Sequence, residues 1–300
     1  MDTKRIETTT SRTAEMNCVT RAASSLESTP CYRSEDWVAL QLLPRLFQVL
    51  VHVPLFRSFF RRTMAPAGVY EYVIARTKYI DAVFRQALEE DFEQVLLFGA
   101  GFDTRALRLQ NEIGKLRIFE LDAHHTQQAK QEQYRKRRLT VPDNFTFIPI
   151  DFDKQSLPER LDAAGFGRGL KSLFILEGLL MYLEPESVQT TFQTIMTYAG
   201  AGSWVIFDYV LASVLRGENT IYGEARLKQF VAKANERWQF GLDPEEVAAF
   251  LAPFGFALHQ HTSAAQLEEM YFRDASGRRV GRVNGTHGLV LAEVIKDEHL

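Results

Sequence analysis

Five short apolar runs, each closing on a glycine turn or an acid, constrain this chain more than anything else in it. Residues 95–98 (VLLF) run into Gly99-Ala100-Gly101, and 116–121 (LRIFEL) end at Asp122. Residues 145–150 (FTFIPI) end at Asp151, Ser172–Leu176 (SLFIL) at Glu177, and 203–207 (SWVIF) at Asp208. Continuous apolar runs of this length mark strands buried on both faces. Helical patterns separate them. Residues 69–90 hold no Gly or Pro and bring Val73, Ile80, Phe84, Ala87 and Leu88 near one face. Residues 103–109 (DTRALRL) open a helix with Asp103 placed to cap it. Pro185 suits a first helical position, and Asp243-Pro244-Glu245-Glu246 reads as a helix start that Gly255 stops. Residues 256–261 and 288–295 are two further strands, joined by a segment long enough for an antiparallel hairpin. The alternation predicts an α/β fold: a Rossmann-like, doubly wound, mostly parallel seven-stranded sheet with an antiparallel last strand and an N-terminal helical lid. In such sheets ligands bind outside the carboxyl ends of the strands, which puts the four acids along one rim.

The N-terminal part reads differently. Residues 1–16 are polar, with no apolar core, so they are neither a secretory signal nor an anchor and are expected to be a disordered lead-in. Residues 38–60 are long enough to span a bilayer, but Pro44, Arg45, His52, Pro54 and Arg57 interrupt them. They are either broken amphipathic helices capping a pocket or an interfacial segment whose Arg57, Arg61 and Arg62 meet lipid headgroups. The cap is preferred, and it divides the chain into a lid over 17–68 and one domain over 69–300, with a substrate-covering insertion around 209–243. The chain has 22 Phe. Those at 47, 56, 59 and 60 fall in the lid and are expected to select a hydrophobic acceptor. With 35 Lys+Arg against 38 Asp+Glu, the net charge of -3 leaves no footprint for wrapping nucleic acid. The two cysteines, Cys18 and Cys31, cannot build a four-thiolate metal site and are compatible with a reducing cytoplasm.

The glycine loop narrows the chemistry. A strand, a GxG turn and a helix, with an acid at the end of the next strand, fit recognition of a nucleotide ribose by Asp122. The loop is GAGFDT, not GxGxxG. Asp103 puts a carboxylate at the helix N-terminus, where a pyrophosphate would sit, and competes with it. A nucleotide ligand with a sulfonium and no phosphate has no such conflict, which favours S-adenosyl-L-methionine over NAD or FAD.

Arg76-Thr77-Lys78-Tyr79-Ile80-Asp81, the loop 99–109 (GAGFDTRALRL), Phe119-Glu120-Leu121-Asp122, residues 176–183 (LEGLLMYL) and residues 236–244 (ERWQFGLDP) carry a resemblance. Together they resemble the leucine carboxyl methyltransferase-like family of class I S-adenosylmethionine-dependent methyltransferases, which also holds bacterial polyketide O-methyltransferases. The resemblance runs from about residue 69 to the C-terminus. It implies that Arg76 holds the methionine carboxylate of the cofactor, a bidentate task suited to a guanidinium. It further implies that Gly99 and Gly101 line the methionine and ribose, that Asp122 takes the ribose hydroxyls, that Asp151 and Phe152 contact the adenine, and that Glu177 meets the ammonium. Arg21, in Arg21-Ala22-Ala23-Ser24, resembles the family's opening motif in part and is a further cofactor candidate. Asp208 matches no binding role. Relatives commonly show ExDxP at the second strand, where this chain has His124 in the Pro position.

Methyl transfer is an in-line displacement for which the enzyme supplies proximity and a dry pocket, and no metal is needed. An acceptor carboxylate, with a pKa of about 4, is already ionised, whereas a phenol at about 10 gains from a general base. None of the seven histidines sits in a constellation that identifies a base. The reading is therefore O-methylation of a carboxylate, or of a hydroxyl, on a small hydrophobic or aromatic acceptor. Tyr209 and Tyr222 are candidates for orienting it, with aromatic packing as the plainer role. Three alternatives stay open: an RNA methyltransferase using Lys130 and Arg135-Lys136-Arg137-Arg138, a nicotinamide oxidoreductase, and a non-catalytic cofactor sensor.

Overall fold

A computed structural model of the chain describes residues 12–151, 154–234 and 237–295. Four helices come first: α1 (Arg12–Ser25), α2 (Trp37–Leu42), α3 (Arg45–His52) and α4 (Pro54–Phe59), closed by a π-helical turn at Phe60–Met64. Next follow α5 (Val69–Glu89), β1 (Gln94–Phe98), α6 (Arg105–Arg108), α7 (Gln110–Ile113), β2 (Arg117–Asp122), α8 (His124–Arg137), β3 (Phe145–Pro149), α9 (Leu157–Ala163) and β4 (Ser172–Leu176). The rest is α10 (Pro185–Tyr198), β5 (Trp204–Leu211), α11 (Ala212–Arg216), α12 (Glu224–Ala234), β6 (Gly241–Leu242), α13 (Val247–Leu251), β7 (Phe256–Thr262), α14 (Ala264–Tyr271) and β8 (His287–Val294).

The strands form one sheet in the order β3-β2-β1-β4-β5-β8-β7. β8 runs antiparallel to both β5 and β7, and the other pairings are parallel. The expected seven strands are all present; β6, two residues long, is an addition paired to the end of β5. Alternation along β1 explains the continuous apolar pattern. Val95 and Leu97 pack into a core shared with α1, α2 and α5, while Leu96 and Phe98 pack into the opposite core with α10 and α13. Both layers bury the sheet, so neither face has a reason to carry polar side chains.

Several local expectations change. α1 begins at Arg12, so the last residues of the expected lead-in are helical, and residues 1–11 lie outside the described residues. The helix after the glycine loop spans only four residues before the chain turns into α7. Asp243 does not cap the helix expected after it. Its carboxylate takes Arg216 at 2.9 Å instead, and the segment is a 3-10 turn, the short α13 and a second 3-10 turn ending at Gly255. Pro185 stands at the start of α10 as expected. The segment 38–60 is cut into short helices at Pro44 and Pro54, and among the described residues no helix is long and apolar enough to cross a membrane.

Candidate functional site

The carboxyl ends of β1, β2 and β4 and the loop after β3 surround a cavity of about 220 Å³ that α1 closes from one side. Arg76, Gly99, Gly101, Asp122, Asp151, Glu177 and Arg21 all line it. Seven of the eight residues expected to touch a cofactor therefore meet in one place; the eighth, Phe152, lies outside the described residues.

The glycine turn is conformationally required. Gly101 sits at φ +52°, and a Cβ there would stand 3.4 Å from Ala14 Cβ of α1. A side chain would both strain the loop and fill the space between it and α1. The turn is tied to the second strand by Asp122, whose carboxylate accepts the Gly101 N–H and, at 2.6 Å, the Ala123 N–H. Burial raises the Asp122 pKa, against the pull of those two N–H groups. A carboxylate offers about four lone-pair sites, so two stay open for a pair of hydroxyls.

Beside it lies a buried network of charges. α5 carries Arg76 inward, where Nη1 donates to Asp208 Oδ2 at 2.7 Å. Arg76 Nε is 3.1 Å from Glu177 Oε1, an ion pair without hydrogen-bond geometry, which leaves that buried N–H without a hydrogen-bond partner. Glu177 also accepts Arg105 Nη1 at 2.8 Å. Burial pushes the Glu177 pKa up, but Arg105, Arg76 and Arg21 together outweigh it and hold the carboxyl at about 2. β5 runs on to Leu211, so Asp208 lies within the strand rather than at its end; fully buried there, it accepts from Arg76, from the Tyr72 hydroxyl at 2.7 Å and from the Gly178 N–H. Its part is structural: it holds the Arg76 guanidinium.

Arg105 went unnoticed in the sequence because it reads as helix surface. It is buried, and it pairs with Asp81 at 2.8 Å as well as with Asp103 and Glu177. The signal was the surrounding acids: Asp81 belongs to the same RTKYID stretch as Arg76, and Asp103 to the loop. Asp103 also accepts the Arg105 backbone N–H at 2.7 Å. The helix-end donor that a phosphate would use is thus already taken, while the Asp103 charge is answered by Arg105 rather than left free. Arg21 is anchored by Asp36 at 2.8 Å and by the Phe102 carbonyl at 2.6 Å. Asp151 accepts Lys154 at 2.7 Å.

A family model described as leucine carboxyl methyltransferase matches residues 14–196, more than half of the chain. The chain belongs to the leucine carboxyl methyltransferase family. Its similarity to YktD of Bacillus subtilis, named as a candidate S-adenosyl-L-methionine-dependent methyltransferase, is 26% identity over 66% of this chain and 65% of that protein. A protein of Mycolicibacterium smegmatis with the same naming is 34% identical over 45% of this chain and 44% of its own length. The matches thus span between under half and about two thirds of these relatives. The crystal structure of a candidate methyltransferase from Thermobifida fusca superposes with a TM-score of 0.56, at 16% identity, over 85% of this chain and 92% of that one, a likeness of fold.

Other expected parts of this leucine carboxyl methyltransferase family member fall elsewhere. Tyr209 points into the core beneath the sheet and shares a 2.8 Å hydrogen bond with His261 Nε2; Tyr222 lies under the Arg282 guanidinium, 3.8 Å from its ring centre. Neither lines the cavity. The four N-terminal Phe do not line it either. Phe60 is buried beside Phe56 and Tyr70, Phe47 packs on the core edge, and Phe59 faces solvent. The aromatic surplus is mostly core, as around Phe192, whose ring lies 5.1–5.9 Å from those of Phe207, Phe250, Phe254 and Phe256. Of the expected lid, Asn17 and Arg21 on α1 reach the cavity, joined by Thr13 and Ala14, which fall in the expected lead-in. No described residue of 209–243 lines the cavity. Gln239 instead braces the adjoining turn through the Met181 carbonyl at 2.7 Å and the Tyr182 carbonyl at 3.0 Å. Lys130 is fully buried on Glu120 at 2.6 and 2.7 Å, so it offers nothing to RNA.

Proposed function

We propose that this chain is an S-adenosyl-L-methionine-dependent O-methyltransferase that methylates a carboxylate of a small-molecule acceptor. The observation that carries the reading is the convergence of Arg76, the Gly99–Gly101 turn, Asp122 and Glu177 on one cavity. The donor set fits the cofactor part by part. Arg76, with its unpartnered Nε, would take the methionine carboxylate, and Glu177, ionised down to about pH 2, would take the ammonium. The two open sites on Asp122 suit vicinal ribose hydroxyls, and Asp151 would face the adenine. When bound, the cofactor supplies a methyl carbon activated by its sulfonium. The chain orients that carbon and excludes water by laying α1 over the cavity.

Carboxylate rather than hydroxyl acceptance is supported by the proton. Among the described residues no histidine lines the cavity. Glu177 is tied to two arginines and held at about 2, which makes it a poor proton acceptor. An acceptor that arrives ionised needs none. The nicotinamide reading is disfavoured by the Arg105 N–H already bonded to Asp103; the RNA reading loses Lys130 to burial, while Arg135, Lys136 and Arg138 stay exposed. A reducing, cytoplasmic setting and a small-molecule partner complete the proposal, with Cys18 and Cys31 both free thiols.

Calorimetry with S-adenosylmethionine on Arg76→Ala and Asp122→Ala, made separately, tests the site. Each is expected to weaken binding by about tenfold or more, the equivalent of one charge-assisted contact; unchanged affinity in both overturns the assignment. Labelled methyl transferred to an acid-rich metabolite extract tests the reaction. Mild base releases the label from a carboxyl ester, whereas a base-stable product rules the carboxylate acceptor out.

A further inference from the structure

Between Asp36 and Glu71 the chain holds no acid, while it carries Arg45, Arg57, Arg61 and Arg62 in a protein whose net charge is -3. The same stretch buries Val38, Ala39, Leu42, Leu43, Val51 and Phe60 but leaves other apolar side chains in solvent. Among the described residues eleven large hydrophobics are exposed, and seven of them fall in 37–64. On α3, Leu46 and Val49 stand three apart at 67% and 69% exposure, and Val53, in the extended link to α4, is 44% exposed, whereas Val51 faces the core. Leu55 and Phe59, four apart on α4, extend the surface at 82% and 55%. The cavity does not account for this face, because none of these side chains lines it.

The charges identify what fits. Arg57 is turned inward, donating to the Val51 carbonyl at 2.8 Å, and Arg61 covers the Tyr32 ring at 4.5 Å. Arg45 and Arg62 remain exposed, Arg45 directly before Leu46 and Arg62 three residues after Phe59. A second copy of the chain on a two-fold axis would bring the same patch against itself, setting arginine near arginine with no acid in the patch to answer. A surface that is apolar within and anionic at its face complements the patch on both counts. Exposed aliphatic and aromatic side chains rimmed by basic residues are the make-up of helices that lie in the interface of a bilayer.

We propose that the α2–α4 face docks this protein peripherally onto an anionic lipid bilayer, with Leu46, Val49, Val53, Leu55 and Phe59 entering the interface and Arg45 and Arg62 meeting headgroup phosphates. The proposal stands apart from the methyl-transfer reading, because it uses no residue of the cavity. It does place the bilayer one helix away from it: α1 packs on α2 and α3 on one side and lines the cavity on the other.

Flotation of the full chain with phosphatidylcholine vesicles, with and without phosphatidylglycerol, is the test. Binding is expected only with the anionic lipid and is expected to weaken as salt rises. Leu55→Asp with Phe59→Asp should reduce it by about tenfold or more. Arg45→Glu with Arg62→Glu should abolish the preference for anionic lipid. All four positions are exposed, and an unchanged melting temperature certifies the fold of each variant. Absence of flotation at low salt overturns the proposal, and so does binding that both variants leave intact. Sedimentation equilibrium showing self-association that Leu55→Asp with Phe59→Asp disrupts would assign the face to a second copy instead.

Discussion

Replacing Asp208 by Asn perturbs the residue that accepts the Arg76 side-chain hydrogen bond. Asp208 is fully buried and accepts three bonds, from the Tyr72 hydroxyl, from Arg76 Nη1 and from the Gly178 N–H. Asn preserves the size but offers one acceptor oxygen and one NH2. If the oxygen stays on Gly178, the amide nitrogen meets Arg76 donor against donor, while Tyr72 can rotate its hydroxyl to accept. Removing one member of a buried ion pair costs about 3–5 kcal/mol. Glu177 still answers part of the Arg76 charge from 3.1 Å, which places the expected loss at the lower end of that range. For a chain of this size each kcal/mol moves the melting temperature by roughly 2–4 °C, so a fall of about 6–12 °C is expected. Calorimetry should show S-adenosylmethionine binding weakened by about tenfold or more, since the guanidinium is no longer held toward the cavity. Tyr72→Phe is the control: it deletes one hydroxyl bond at a cost of about 1.5 kcal/mol and leaves Arg76 in place. An Asp208→Asn protein that melts within about 2 °C of wild type and binds the cofactor equally well would refute the positioning role.

Two further perturbations report on buried charge. Burial, helped by Arg76 and opposed by Asp208, pushes His287 down to about 4 from the ordinary 6.5. The unfolded chain then takes the proton first as pH falls, so the contribution is complete above about pH 6.5 and is lost towards pH 4, by up to about 3 kcal/mol. Urea titrations of wild type and His287→Gln across that window should show the difference between them shrinking with acid, and a constant difference contradicts the assignment. Lys130→Ala strands the Glu120 carboxylate in the core and should cost about 3–5 kcal/mol, part of which Glu120→Gln restores in the double variant. A single-variant loss below about 1 kcal/mol would mean the pair is not the buried contact described.

The sheet was legible because each central strand is buried on both faces, which turns 95–98 and Ser172–Leu176 into unbroken apolar runs. The cavity was legible because strand ends and a glycine turn are local patterns, and the topology brings them to one rim. What escaped depends on distant partners. Asp208 and Arg76 are 132 positions apart, so the role of the acid is invisible until β5 lies beside α5. Arg105 looks like surface helix until Asp81 and Glu177 surround it. The N-terminal phenylalanines misled for the opposite reason: hydrophobicity states that a side chain leaves water, and not which surface it leaves water for. Asp243 shows the same limit at short range, since its capping signal was sound but Arg216 competed for the carboxylate.

The place of β8 in the sheet sets an order on folding. β7, at the sheet edge, pairs only with β8 among the described strands, and β8 is also the strand that covers β5. A ribosome that has delivered residues up to 286 has therefore made two strands with open edges and nothing yet to close them. The parallel half can assemble around β1 as it emerges, but β5 and β7 must wait for His287–Val294. During that interval the nascent chain exposes a template for strand addition, and a truncation before β8 would be expected to aggregate rather than merely lose stability.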